Sequence, residues 1–266
     1  MVLRVQHLET DCWCIIAFRG GTSFHKPTHK KKNMHPEGSS SLPPLELQHR
    51  VTQADCIHVY GAGLKPERPA HQAVLELAQR GWACAPIHPI DAGATVGGFP
   101  IRPALDDGLR PSIIVLFLAP ERARHVVRDL IMRLGHDRFP LIWFQRGAED
   151  LPSIEALESM GAAYVANDCI VEYTARQDIS CERSPLPQTF CLQTASEDGD
   201  GCSVWSMHTT DKAVLNRPTY ALEWVGSLNE LEQSNHTIPR YIRSLQQEKE
   251  TMEALAHRLS NPRATS

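Results

Sequence analysis

Between residues 54 and 173 the apolar positions change period repeatedly. Short apolar runs at Ile57–Tyr60, Trp82–Ile87, Ser112–Leu118, Leu141–Phe144 and Tyr164–Ala166 have the length of strands. Between them, apolar residues recur every three to four positions. Ala70, Ala73, Val74, Leu77 and Ala78 mark one helical face; Ala123, Val126, Val127, Leu130, Ile131 and Leu134 mark another. A shorter helix is predicted from Ser153 to Met160, and a short strand from Phe99 to Ile101. Pro69 and Pro120 open two of these helices, where a proline's missing N–H would have no partner anyway. Gly81, Gly135 and Gly161 follow the last helical turns as stop residues. The run Ser112–Leu118 is apolar without alternation, as in a parallel strand covered on both sides. Strand and helix alternating at these spacings predict an α/β fold, an open parallel sheet with helices on both faces.

The pattern fades outside this region, and four segments result. Residues 1–53 are expected to be a disordered or weakly structured extension. They hold one strand-like run, Cys12–Phe18, then a basic stretch, His25–Lys32, and the linker-like Gly38–Pro44. Residues 54–173 form the patterned domain. Residues 174–226 read as a linker or irregular segment, in which Trp205, Tyr220 and Trp224 fit either short strands or a docking arm. Residues 227–266 read as a helical segment with one helix from about Pro239 to Leu259. Ile238, Tyr241, Leu245, Met252, Leu255 and Leu259 fall on heptad positions, but Glu248 interrupts the seam. Packing on its own domain is therefore the expected role of this helix, with a protein partner as the alternative.

Composition narrows the function classes. The 266-residue chain carries a net charge of −4, so attraction to nucleic acid is not suggested. No apolar run is long enough for a membrane span. Eight cysteines without a regular framework, in a chain of this length, read as reduced thiols in a cytoplasmic protein. Cys12, Cys14, His25 and His29 do not have the spacing of a standard zinc finger, and no metal site is expected. The lysine run at residues 30–32 reads as a solvated tail.

Candidate chemistry gathers at one turn. Gly61-Ala62-Gly63-Leu64-Lys65 follows the first strand, and Pro69 opens the helix behind it. A helix start beside a glycine turn offers free N–H groups and a positive dipole end, which suit phosphate. Lys65 and Arg68 add charge there. In an open parallel sheet ligands lie beyond the carboxyl ends of the strands. That rule makes the loops Gly61–Arg68, His88–Asp91, Leu118–Pro120, Gln145–Gly147 and Asn167–Cys169 the candidate site. Cys169 beside Asp168 invites a nucleophile reading, but no histidine is adjacent in sequence, and a structural thiol is preferred. His71 and His88 read as packing or surface residues. No catalytic group is therefore assigned.

Five motifs carry a resemblance: Val59-Tyr-Gly-Ala-Gly-Leu-Lys-Pro-Glu-Arg-Pro-Ala-His, Pro86-Ile-His-Pro, Val96-Gly-Gly-Phe-Pro-Ile-Arg-Pro-Ala-Leu, Trp143-Phe-Gln-Arg-Gly and Asn167-Asp-Cys-Ile-Val-Glu. Through them residues 54–173 resemble the small CoA-binding proteins related to the CoA-binding domain of the succinyl-CoA synthetase α subunit. The resemblance implies a Rossmann-like domain that binds CoA or an acyl-CoA through Gly61, Ala62, Gly63, Lys65, Arg68, Pro69, His88, Pro89, Leu118 and Gln145. The chain departs from the family at Ala70 (usually Ser), His88 (usually Asn) and Leu118 (usually Arg). A non-catalytic module, acting as a sensor or partner subunit, is the expected function. The alternatives are an NAD(P)-dependent oxidoreductase or an acyl-CoA ligase half. The dinucleotide fingerprint lacks its third glycine, and the strand ending Ile87-His88-Pro89 shows no acidic residue at its tip.

Overall fold

The strand β2 (Cys56–Tyr60) sorts its side chains by alternation: Ile57 and Val59 enter one core layer, and Cys56, His58 and Tyr60 point to the other face. The computed structural model describes residues 38–181, 189–195, 203–209 and 222–260. From β2 the chain runs through α2 (Pro69–Gln79) to β3 (Ala83–Ile87), which pairs parallel to β2 at one edge. A small antiparallel hairpin, β4 (Thr95–Val96) and β5 (Phe99–Pro100), then leads back across β2 to β6 (Ile113–Leu116). Next come α3 (Pro120–Arg133), a 3-10 turn at His136–Arg138, β7 (Leu141–Phe144), α4 (Leu151–Met160), β8 (Tyr164–Ala166) and α5 (Ile170–Arg176).

The sheet order is β1-β8-β7-β6-β2-β3, where β1 is the two-residue strand Ser39–Ser40, antiparallel to β8. All other pairings in this sheet are parallel. The direction in which the chain progresses across the sheet reverses between β2 and β6. Consequently α2 packs on one face, with Ala70, Val74 and Leu77 against Ile57 and Val59. Helices α3 and α4 pack on the other, with Ala123, Val127, Leu130 and Leu157 against Ile114, Leu116 and Phe144. The predicted open, mostly parallel sheet with helices on both faces is observed.

Three expectations need correction. Residues 44–52 do not belong to a weakly structured extension. They form α1 (Pro44–Thr52), which buries Leu47 and Val51 in the layer under α2 and is pinned by Trp82 Nε1–H donating to Val51 O at 3.0 Å. The signal was present as Pro44 followed by apolar residues four apart, but it lies behind the linker-like Gly-Ser-Ser-Ser-Leu-Pro run. Second, the 174–226 segment contains a three-stranded antiparallel sheet, β9 (Thr189–Ala195), β10 (Ser203–Thr209) and β11 (Leu222–Ser227), ordered β10-β9-β11. Trp205 and Trp224 stack across it with ring centroids 6.4 Å apart. Third, no single helix runs from Pro239 to Leu259. The segment forms α6 (Leu228–Gln233), α7 (Thr237–Ser244) and α8 (Met252–Ser260). A turn with Lys249 at φ 65° separates the last two, and Arg258 Nε–H donates to Glu250 Oε1 at 2.8 Å across it. Of the supposed heptad seam, Leu255 is buried with Leu231, Ile242, Trp224 and Cys191, and Ile238, Met252 and Leu259 pack partly buried against them, whereas Tyr241 and Leu245 are exposed, so no continuous seam forms. The motifs at Cys12, Cys14, His25 and His29, and Tyr220, lie outside the described residues.

The C-terminal strands and helices dock on the hairpin side of the sheet through polar contacts. Arg102 Nε–H donates to Glu230 Oε1 at 2.5 Å, and its Nη2 donates to Glu230 Oε2, with both residues buried. Glu230 also closes a capping box on α6 with Ser227. Trp224 Nε1–H and Ser234 Oγ–H both donate to Asp106 Oδ2. Beside the Arg102–Glu230 pair lie Cys56, whose thiol is pushed up to about 12 by burial, and His58, whose Nδ1 has no hydrogen-bond partner among the described residues.

Burial lowers the His58 pKa from 6.5 to about 4. In the window between these values the unfolded chain holds a proton that the folded chain does not. Stability from this site is full above pH 6.5 and lost as pH falls toward 4, on the order of 3 kcal/mol. Urea titrations across that window should show the slope, and His58→Gln should flatten it. An unchanged slope in the variant would show that His58 is not its source.

Candidate functional site

The carboxyl ends of β2, β3, β6 and β7 are laced together before the chain leaves them. Gly61 N–H donates to Ile87 O at 2.9 Å, Phe117 N–H to Tyr60 O at 3.1 Å, and Gln145 N–H to Leu116 O at 3.3 Å. Because α2 and α3 depart to opposite faces, a cleft of about 1420 Å³ opens above the β2/β6 boundary. This is the topological switch point, the usual ligand position in open α/β sheets.

Gly61 turns the chain with φ 92°, and a Cβ there would stand 2.5 Å from Phe117 O. Only glycine allows β2 and β6 to end side by side here. Gly63 is packed differently: a Cβ would meet Asp91 Oδ2 at 2.3 Å and His88 Cγ at 3.0 Å. The Asp91 carboxylate accepts from Leu64 N–H at 3.0 Å, and His71 Nδ1 lies 2.8 Å from Gly63 O. His88 Nδ1 is 3.2 Å from Asp91 Oδ2 but is not aligned as a hydrogen bond.

Gly61, Gly63, Lys65, Arg68, Pro69, His88, Pro89, Leu118 and Gln145 all line this one cleft. Ala62 does not: it is fully buried in the core layer under α2 and supports the turn from below. Sequence reasoning missed Arg122 and His125, and the reach of Asp91. Asp91, the last residue of the expected loop His88–Asp91, reaches the glycine turn from four residues past Ile87, so an acidic side chain does stand at the end of β3. Arg122 and His125 line the cleft from α3. Their signal was the helix period itself, which sets both on the side away from Ala123 and Val127. Cys169 also lines the cleft, at the start of α5.

The charges are arranged unevenly. Each carboxylate of the cleft has a partner: Asp91 the Leu64 amide, Asp129 the Arg133 guanidinium at 2.9 Å, and Glu172 the Arg146 guanidinium at 2.6 Å. Lys65, Arg68 and Arg122 have no carboxylate partner among the described residues. Below the floor, Asp168 is buried between Arg176 at 2.7 Å and Arg146 at 3.6 Å, and accepts from Cys169 N–H at 2.8 Å. That carboxylate is structural. Burial pushes the Tyr60 hydroxyl well above its ordinary value, so it enters the cleft as a neutral donor. No group of three or more histidine, cysteine or acidic residues among the described residues is placed to hold a metal ion.

The fold and cleft define an α/β domain with a crevice at its switch point. Residues 55–174 match the family described as a CoA binding domain, so a CoA binding domain is present in this chain. Among solved structures, a protein from Thermus thermophilus is 26% identical, covering 51% of this chain and 98% of its own, with a TM-score of 0.46. A hypothetical protein from Pyrococcus horikoshii OT3 is 22% identical, covering 51% and 92%, with a TM-score of 0.45. Comparison with curated proteins gives no match. No helix among the described residues is long and apolar enough to cross a membrane.

Proposed function

We propose that the domain binds CoA or an acyl-CoA without transforming it, as a sensor or as the ligand-holding part of a larger assembly. One observation carries the reading: the cleft of a CoA binding domain keeps Lys65, Arg68 and Arg122 without carboxylate partners among the described residues, while its own acids are all engaged. The pyrophosphate lies at the turn from Gly61 to Pro69, where the start of α2 contributes backbone N–H groups and a partial positive charge. The adenosine end of the ligand runs along His88-Pro89 and Phe144-Gln145.

Calorimetry with CoA and NAD tests the proposal. CoA is expected to bind, and Arg68→Ala to weaken it roughly ten-fold or more, by loss of a charge-assisted contact of about 1.5–3 kcal/mol. Arg68 is exposed, so the variant keeps the fold. Tight NAD binding with no response to CoA would refute it. Asp91 at the glycine turn is the observation that keeps an NAD(P)-dependent oxidoreductase as the second reading, because a carboxylate at that strand end can hold a ribose.

A further inference from the structure

On the reading above, the pyrophosphate takes the α2 side of the cleft. Opposite it, the 14-residue helix α3 begins at Pro120 with its N-cap, Ala119, in extended conformation and no side chain capping its free N–H groups. Leu118, Ala119, Arg122 and His125 line the cleft at this start. Arg122 is exposed and has no ion pair or hydrogen bond among the described residues, in contrast to Arg124, which Asp150 holds, and Arg133, which Asp129 and Asp107 hold. Glu121, the acidic residue of the same turn, does not line the cleft.

An independent feature points to a ligand at this place. Gln145 is 5% exposed, lines the cleft, and its Nε2 has no hydrogen-bond partner among the described residues. Its backbone N–H is bonded to Leu116 O, which sets the residue beside the turn leading from β6 into α3. A buried donor left without an acceptor costs about 1–3 kcal/mol. An acceptor supplied by a ligand would remove that cost.

We infer that the start of α3, with Arg122 and the Gln145 amide, is a second phosphate site, which takes the ribose 3′-phosphate that distinguishes CoA from dephospho-CoA. His125, one turn further along α3, faces the same group. The inference rests on the CoA reading above. The cleft then straddles the switch point with one helix start per phosphate centre, α2 for the pyrophosphate and α3 for the 3′-phosphate. A guanidinium at the second centre selects for the extra dianionic group, because its fork matches phosphate oxygens.

Calorimetry with CoA and dephospho-CoA, on the full chain and on Arg122→Ala and Arg122→Lys, tests this. CoA is expected to bind at least ten-fold more tightly than dephospho-CoA, that is, by at least about 1.4 kcal/mol. Arg122→Ala should bring CoA down to the dephospho-CoA level and leave dephospho-CoA unchanged; Arg122→Lys should recover part of the difference. Equal binding of the two ligands by the unaltered chain, or an equal loss of both in Arg122→Ala, overturns the second site and leaves the CoA reading standing. Failure of both ligands to bind the unaltered chain overturns both.

Discussion

Replacing Glu230 with Ala is expected to destabilise the protein by about 3–5 kcal/mol, the usual result of removing one partner from a buried ion pair. Arg102 is 4% exposed and would keep its charge without a counterion. Burial alone would lower the Arg102 pKa, yet Glu230 holds it above its ordinary value; burial would raise the Glu230 pKa, yet Arg102 holds it below. Each group therefore depends on the other for its charged form. The loss spreads further, because Glu230 also caps α6 through the Ser227 N–H at 2.6 Å. Arg102 sits between Pro86 and His88: its N–H donates to Pro86 O and its C=O accepts from His88 N–H, both at 2.9 Å. The docking of the C-terminal part thus bears directly on the strand end that reaches the cleft. Urea denaturation measures the effect. The double variant Arg102→Met with Glu230→Leu removes both charges and should lose much less than Glu230→Ala. Equal losses in the two would show that the unpaired charge is not the cause.

Gly61→Ala is expected to cost roughly 3 kcal/mol or more and to abolish ligand binding. Its φ of 92° strains any L side chain, and the added carbon would lie 2.5 Å from Phe117 O, a backbone atom that cannot rotate aside. Relief requires β2 and β6 to part at the floor of the cleft. Gly147→Ala isolates this contact, since Gly147 has a similar φ of 84° but no neighbouring atom within 4 Å of where the new methyl group would stand. It should show only the backbone strain, about 1–3 kcal/mol. Denaturation and CoA calorimetry on both variants check the prediction. A Gly61→Ala protein as stable as Gly147→Ala would remove the Phe117 contact from the argument.

Apart from the two-residue strand β4 and the 3-10 turn, the strands and helices from Cys56 to Ala166 were legible because they announce themselves locally. Strand runs such as Ile113–Leu116 are buried on both faces, and the α2 and α3 faces repeat at the helical period, so neighbours in sequence carry the signal. Gly81 and Gly161 take left-handed conformations at helix ends as expected, with φ 98° and 66°. Gly135 does not: at φ −71° it leads from α3 into the 3-10 turn. Nine of the ten expected cleft residues come together because they follow strand ends of one parallel sheet, a relation that the strand–helix alternation already implies.

The amino-acid sequence by itself determined the alternation, the sheet class and the glycine turn, all written in residues a few positions apart. Tertiary structure decided what depends on pairs far apart in the chain. Asp91 became part of the turn by reaching Leu64, 27 residues away, and Glu230 became a buried charge only because Arg102, 128 residues away, neutralises it. The strands β9 to β11 are defined by pairing with one another, and α7 and α8 by a turn that Arg258 and Glu250 close. A buried charge or a short strand gains its free energy from the partner it meets on folding, and no local pattern records which partner that is.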